Sequence, residues 1–328
     1  RGGIQMQKVH EVGQHQILKL IDRFSRGLDL QIEEYKQKIM NAGVTSHLDE
    51  KEVDLLIKHA LENIDETNIN WTYLAARIYL HNLYNKAARN RGYVYSDGYG
   101  SFYELIQLLT EKGVYSEHLL RKYSKEEIEH FGNVIEPGRD QLFTYPAILT
   151  LATRYLATDH DKNTYELPQE RWMIIAMHLM QDEDHGTRTE HVEEAYWALS
   201  NLYMTVATPT LANAGKTHGQ LSSCFIDTVN DSLQGIYDSN SDVAQLSKNG
   251  GGIGVYMGKI RARGSSIRGY KRMSSGVVPW IKQLNNTAVS VDQLGTRKGA
   301  ISVYLDIWHL DIEDFLDLKL NNGDDRLR

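Results

Sequence analysis

Apolar residues recur at helical spacing through most of the first 206 residues, and beyond Ala207 they change to short runs set between glycines. Ile17, Leu18, Leu20, Ile21, Phe24 and Leu28 follow the i, i+3, i+4, i+7 spacing of a buried helix face. Val53, Leu56, Ile57, Ala60, Leu61 and Ile64 repeat it behind Asp49 and Glu50, whose charge suits the positive end of a helix dipole. Trp71, Leu74, Ala75, Ile78 and Tyr79 predict a third helix that runs on through Leu83. Further helices are expected over 101–112, 145–156, 168–181 and 190–206, with Pro168 in a first turn, where its missing N–H costs nothing. Polar breaks at 159–163 and 182–186 separate them. Beyond Ala207, strands over 221–226, 253–257 and 301–305 alternate with helices that start near Asp231-Ser232, cover 277–289 and cover 312–320. Strands and helices in alternation predict a parallel sheet or barrel. The fold expected is α+β overall, an all-helical region followed by strands and helices of a parallel sheet or an α/β barrel.

The bulk numbers narrow the class. At 328 residues the chain suits roughly two domains, and 41% apolar with 24% charged residues is ordinary for a globular protein. A net charge of −7 argues against a general nucleic-acid surface. No apolar run approaches the ~18 residues that span a bilayer, and Arg1-Gly2-Gly3-Ile4 opens no signal-peptide pattern. A single cysteine excludes an internal disulfide framework and suits a reducing compartment, so a cytoplasmic protein is expected. A start at Arg1 and a stop at Arg328, straight after an amphipathic segment, read as a piece of a longer chain or half of a split protein.

Three features carry chemistry. The lone thiol, Cys224, sits in Gly219-Gln220-Leu221-Ser222-Ser223-Cys224-Phe225. It reads either as a redox thiol or as a buried structural cysteine, and the flanking hydroxyls suit an oxyanion or phosphate. Gly250-Gly251-Gly252-Ile253-Gly254 is either a backbone nest for phosphate or a tight turn into a strand. Lys259, Arg261, Arg263, Arg268, Lys271 and Arg272 follow with no acidic residue between them. In an acidic chain such a stretch suggests an anion site held by bidentate arginines, against the plainer alternative of a solvated loop. Asp231-Ser232 reads as a helix cap. Asp182, Glu183, Asp184 and His185 are adjacent in a polar turn and lack the spacing of metal ligands.

These segments together resemble the large, catalytic subunit of ribonucleotide reductase. The similarity starts at Ala207-Thr208-Pro209-Thr210-Leu211-Ala212-Asn213-Ala214-Gly215. It continues through 219–225, Asp231-Ser232-Leu233, 247–254, 259–269, Ser275-Gly276-Val277-Val278-Pro279, 293–300 and Trp308-His309-Leu310-Asp311-Ile312-Glu313. Tyr73-Leu74-Ala75-Ala76-Arg77 and Tyr123-Ser124-Lys125-Glu126-Glu127 are similar to that family's helical domain, and Arg1-Gly2-Gly3 with Lys8-Val9 is similar to the start of its ATP-cone.

The resemblance implies helical segments over 1–90 (a partial or degenerate ATP-cone) and 91–206, then the first part of a ten-stranded barrel over 207–328. It implies reduction of ribonucleotides through a thiyl radical, with Cys224 as one of two reducing thiols. Thr208, Ser223, Gly251 and Gly252 would contact substrate. Asp231, Ser232, Leu233, Arg261 and Arg268 would bind a deoxynucleoside triphosphate or ATP as effector. Gln293, Gly295, Arg297 and Gly299 would form the loop that relays effector identity to substrate choice. It implies no cofactor or metal bound by this chain itself, and a radical supplied by a separate metal-containing small subunit. The expected partners are the remainder of the catalytic subunit, a thioredoxin- or glutaredoxin-type reductant and a second copy of the chain, with no membrane and no nucleic acid.

The thiyl-radical cysteine and the second reducing thiol have no counterpart among these residues, so the chain is expected to be inert without a companion segment. A class II, adenosylcobalamin-dependent reductase fragment and a nucleotide-binding module without catalysis are the alternatives.

Overall fold

The computed structural model describes residues 2–45, 47–95, 98–292 and 298–320, the side chains from residue 13 onward. The backbone divides into two compact units. One holds 1–205 with 214–217, the other 206–213 with 218–328.

The first unit is helical. Its elements are α1 (Gly2–Ser25), α2 (Ile32–Asn41), α3 (Glu50–Leu61), α4 (Trp71–Arg91), α5 (Phe102–Glu111), α6 (His118–Lys122) and α7 (Lys125–Val134). A 3-10 turn at Pro137–Leu142 leads to α8 (Tyr145–Arg154), α9 (Pro168–Leu179) and α10 (Arg188–Ser200). Most of the predicted stripe positions are buried: Ile17, Ile21 and Phe24 of α1 meet Val53, Leu56, Ile57 and Ala60 of α3 and Trp71, Leu74, Ala75 and Ile78 of α4 in one core, while Ile64, past the end of α3, is exposed. Local chemistry fixes the helix ends. The Asp49 carboxylate accepts from Glu52 N at 2.8 Å, and Gly92, at φ 76°, closes α4 in the left-handed conformation that glycine adopts at least cost. α4 runs to Arg91 and packs on both α3 and α8.

Several expectations need correcting. Besides the short α6, two helices appear where none is expected, α2 and α7. The first buries only Tyr35 and Ile39, too few apolar positions to show a period. The second carries a legible start signal, a capping box in which Ser124 Oγ accepts from Glu127 N at 3.1 Å and Glu127 accepts from Ser124 N at 3.1 Å. Conversely, α10 stops at Ser200 although the apolar pattern runs to residue 206, because Leu202 turns to φ 60° and Tyr203 is left 72% exposed.

Helix α9 is buried on every side, so its polar residues need internal partners. Gln169 donates to Asp140 Oδ1 at 2.8 Å and accepts from Tyr196 at 2.7 Å. Asp140 also accepts from the hydroxyls of Tyr84 and Tyr99. Burial pushes the Asp140 carboxyl up to about 6 from an ordinary 3.8, and the hydrogen bonds from Tyr84, Tyr99 and Gln169 hold it from rising further. A carboxyl raised on folding contributes stability that is complete below its unfolded value and lost as pH climbs through the folded one. Relative to wild type, Asp140→Asn should therefore gain on the order of 3 kcal/mol between pH 4 and pH 7, since each tenfold rise in proton affinity is worth about 1.4 kcal/mol. Urea titrations of both proteins at each pH read the difference. A constant gap would show that the carboxyl is not raised.

The second unit opens with α11 (Thr208–Asn213), which is also absent from the sequence expectation, and holds a parallel sheet of order β1-β2-β3. The strands are β1 (Cys224–Thr228), β2 (Gly252–Tyr256) and β3 (Ile301–Tyr304), with α12 (Leu233–Lys248) and α13 (Val278–Val291) between them and α14 (Ile312–Asp317) after them. Cys224 lies opposite Gly252, and Ile253 opposite Ile301. Side chains alternate across the sheet. Phe225, Ile253, Val255, Ile301 and Val303 pack with Ile236 and Val243 of α12 and Leu284 of α13. The opposite face carries Cys224, Ile226, Thr228, Gly252, Gly254, Tyr256, Ser302 and Tyr304, and Ile226 there is 90% exposed. The alternation of strand and helix predicted from sequence is borne out. The strand expected from Leu221 begins only at Cys224, and the last helix ends at Asp317 rather than residue 320.

Candidate functional site

Cys224 is the first residue of β1 and is exposed on the uncovered sheet face. Within this chain the thiol is therefore not a buried one. Ser223 Oγ lies 3.5 Å from Cys224 Sγ, within reach of a weak O–H···S bond. The segment before the thiol is tied down by Gln220, which sequence reasoning missed. Its Oε1 accepts from Ser222 N, and its Nε2 donates to Ser222 O at 2.7 Å and Asn249 O at 3.2 Å. Thr208 opens α11, which is fastened to the same segment by Thr210 Oγ1 donating to Leu221 O at 2.9 Å and Asn213 Nδ2 donating to Gln220 O at 3.1 Å.

The glycine run works as a turn. Gly250 N donates to Ser247 O at 3.0 Å, Gly251 N to Leu246 O at 2.9 Å and Gly252 N to Ser223 O at 2.8 Å. With these amides engaged, the expected nest of free N–H groups does not form. The structure shows instead why Gly251 must be glycine: a Cβ there would come 2.6 Å from the Phe225 ring and 3.0 Å from Leu246 O. Gly252, beside Cys224, leaves the open face bare of side chain, so a ligand can approach the backbone closely.

The basic stretch folds as a loop closed on itself. Gly264 N donates to Ser274 O at 2.9 Å, and Ile267 and Tyr270 exchange two backbone bonds of 2.9 Å, which places Arg268 at the tip with φ 52°. Asp231 and Ser232 separate in role. Ser232 Oγ caps α12 by accepting from Gly235 N at 3.0 Å. The Asp231 carboxylate takes Arg261 Nε at 2.9 Å, while Arg261 Nη1 donates to Ser266 O at 2.9 Å, so the guanidinium is oriented by two fixed acceptors. Leu233, the first residue of α12, is 66% exposed beside them.

A second fastening of this loop was not legible in sequence. The buried Asp311 carboxylate accepts from Arg263 N at 3.0 Å and Val277 N at 3.1 Å, joining the basic loop to the start of α13. His309 Nδ1 accepts from Asp311 N at 3.0 Å, so its other nitrogen, Nε2, carries the proton and donates to Ile260 O at 2.7 Å. Gly276, at φ 79°, allows the approach, since a Cβ would meet Arg263 N at 2.9 Å. The Asp and His of the Trp308–Asp311 run thus act as a staple, a role that spacing alone does not reveal.

Gln293, Gly295 and Arg297 lie outside the described residues. Gly299 N donates to Asp292 Oδ1, and a Cβ at Gly299 would meet Ser247 Oγ at 2.8 Å and Ala288 O at 3.0 Å. Among the described residues no cluster of His, Cys, Asp or Glu could hold a metal ion, and no helix is long and apolar enough to cross a membrane.

Two family models match the chain. The ribonucleotide reductase all-alpha domain matches residues 141–219, and the ribonucleotide reductase barrel domain matches residues 222–328. The chain belongs to the ribonucleotide reductase large-subunit family. The ribonucleoside-diphosphate reductase subunit alpha of Treponema pallidum is 44% identical over 278 residues, 85% of this chain and 32% of its own length. The Helicobacter pylori subunit (strain ATCC 700392 / 26695) is 44% identical over 273 residues, 83% of this chain and 33% of its own length. The large chain of Cryptosporidium parvum is 33% identical over 323 residues, 95% of this chain and 38% of its own. This chain therefore spans about a third of the length of these relatives. In family terms it is a helical region followed by part of the barrel with three parallel strands.

Proposed function

We propose that this chain forms part of the catalytic subunit of a ribonucleotide reductase, with Cys224 as a reducing thiol and the 259–272 loop as an effector site. The observation that carries the reading is the placement of Cys224, exposed at the head of β1 and opposite Gly252 on the uncovered face. Replacing a ribose 2′-hydroxyl with hydrogen takes two electrons and two protons, and the oxygen leaves as water. Two thiols supply these by closing a disulfide, which an external dithiol then reopens. Cys224 is one of them. The other, and the thiyl radical, come from outside these residues, since the chain has a single cysteine.

Each residue has a task within that scheme. Ser223 hydrogen-bonds the Cys224 sulfur and sits where a substrate phosphate would lie, with Thr208 on the adjoining segment. Gly252 serves by leaving room for the substrate and Gly251 by allowing the tight turn that places it, their amides being occupied. The diphosphate in the relatives' names is the substrate proposed here, the radical source is a separate metal-containing small subunit, and the reductant is of thioredoxin or glutaredoxin type. Leu233 at the start of α12, more than half exposed beside Asp231 and the effector loop, supports self-association there. Gln293, Gly295, Arg297 and Gly299 are proposed as the relay between effector and substrate, because coupling needs an element whose contacts differ between states.

At the effector site Arg261 and Arg268 hold the triphosphate, with Asp231 orienting Arg261 and Ser232 and Leu233 flanking it. Arg268 has an exposed side chain at a loop tip, so its removal should leave the fold intact. Arg268→Ala should weaken dTTP, dATP and dGTP binding by about 1.5–3 kcal/mol, the range for a hydrogen bond to a charged group. Calorimetry on both proteins measures this, and equal affinities would remove Arg268 from the site. Binding of these effectors without turnover in the assembled enzyme would instead favour a regulatory module.

A further inference from the structure

Residues 214–217 belong to the helical unit, while Asn213 and His218 on either side of them do not. The two arms that run from this strap carry the chemistry proposed above. One is α11, which begins at Thr208, and the other leads to Cys224. Near the strap the arms are tied together, since Asn213 Nδ2 donates to Gln220 O at 3.1 Å and Thr210 Oγ1 to Leu221 O at 2.9 Å. The placement of the strap therefore bears on both.

Within the helical unit every residue of the strap is held. Arg171 Nη2 donates to Ala214 O, Ser116 N to Gly215 O at 2.8 Å and Lys216 Nζ to Tyr155 O at 3.4 Å. Thr217 donates to Val114 O at 3.1 Å from its amide and to Gly113 O at 3.0 Å from its hydroxyl. Gly215 lies close against α9, where a Cβ would come 2.5 Å from Ile174 Cγ2. Its amide donates to His178 Nδ1 at 3.1 Å. This contact differs from the others, because a proton on Nδ1 cancels it. A neutral imidazole that accepts at Nδ1 carries its hydrogen on Nε2, and protonation sets a second N–H against the one from Gly215.

The surroundings keep the ring neutral. Burial lowers the affinity of His178 for a proton, Arg171 and His118 of α6 lower it further, and Asp182 opposes them. Asp182 is engaged by Lys122 Nζ at 2.7 Å, Glu166 by Arg171 Nε at 3.6 Å, and Glu127 by Arg188 of α10 at 2.8 Å. In the strap itself, burial pushes the Lys216 amine down to about 8. The ring thus titrates below the ordinary 6.5 and the amine above neutrality, which keeps the two apart in pH. The contact is complete above the ordinary histidine value and is lost as pH falls through the lowered one.

Resting on the reading of Thr208 and Cys224 above, we propose that His178 is a positioning residue for both, clasping the strap through Nδ1 and releasing it when the ring gains a proton. The consequence is an acid-side loss of turnover that belongs to this one ring.

The test compares the enzyme assembled with the rest of the catalytic subunit and its small subunit with its His178→Asn and His178→Gln forms. Their amide oxygen accepts a hydrogen bond and does not titrate. Turnover is followed from about pH 7.5 to about pH 5.5, and hydrogen exchange of 214–217 is read by mass spectrometry at both ends. Relative to the amide variants, wild-type kcat should fall by about threefold or more at the acid end, with 214–217 exchanging faster there by a similar factor. Melting identifies a variant that misfolds, and the other variant and the wild-type exchange then decide. Turnover profiles that coincide in wild type and variants would overturn the proposal. So would a wild-type strap equally protected at both ends once intrinsic exchange rates are divided out. Cys224→Ser, assayed alongside, separates this from the reading it rests on. Normal turnover there refutes the redox assignment, whereas coincident profiles with Cys224→Ser inactive refute the role of His178 alone.

Discussion

Arg91→Met should destabilise the helical unit by about 3–5 kcal/mol, the usual cost of leaving one member of a buried ion pair uncompensated. Arg91 Nη1 and Nη2 grip the two oxygens of Glu170 at 2.8 and 2.9 Å, and the Glu170 side chain is fully buried. The same guanidinium donates to Tyr165 O and Ser101 O, both at 3.1 Å, so it ties the last turn of α4 to α9 and to the residue that caps α5. Burial holds the Glu170 carboxyl above its ordinary range even with Arg91 beside it. Without the arginine, only Leu167 N at 3.0 Å would remain to solvate it. Melting should fall by roughly 6–20 °C, given 2–4 °C per kcal/mol for a domain of this size. Arg91→Met/Glu170→Met should recover much of the loss, because removing both charges removes the uncompensated one. A single variant that melts within about 2 °C of wild type, by the same conversion, would show that the pair is not structurally important.

Cys224→Ser should abolish multiple turnovers in the enzyme assembled with the rest of the catalytic subunit, its small subunit and a dithiol reductant. Serine nearly keeps the shape but cannot donate electrons by forming a disulfide. The side chain is exposed, so the folded state should lose no more than about 0.5 kcal/mol, the ordinary range for a surface substitution. Effector binding at Arg268 should be unchanged. Normal turnover in the serine variant would remove Cys224 from the redox chemistry, and a large fall in melting temperature with turnover intact would assign it a packing role instead.

Much of this architecture was legible because burial in the outer helices follows a simple period. The α1, α3 and α4 stripes declare one face each, and the β1–β3 runs lie between turn residues. The period fails where burial is lopsided or complete. Helix α2 buries two side chains, and α9 buries nearly all of its own, including Gln169, Glu170 and Arg171. Whether such polar residues are tolerated inside depends on partners far along the chain, as with Arg91 and Glu170, 79 positions apart. The Arg261–Asp231 pair spans 30 positions and the Asp311 staple 48 from Arg263, so neither could be read from local spacing. Cys224 and the basic loop stood out because their residue types are rare in their surroundings. The composition of the glycine run fits a phosphate nest and a tight turn into a strand equally well, and only the engagement of its amides by Ser247, Leu246 and Ser223 separates the two.

The most direct measurement follows Cys224 through a single reduction. The assembled enzyme, pre-reduced and freed of dithiol, is given ribonucleoside diphosphate and effector, quenched with an alkylating agent and mapped by mass spectrometry. Cys224 should become protected from alkylation in proportion to the deoxynucleotide formed, joined by a disulfide to a cysteine outside these 328 residues. Deoxynucleotide formed in stoichiometric amount while Cys224 stays fully alkylatable would contradict the assignment.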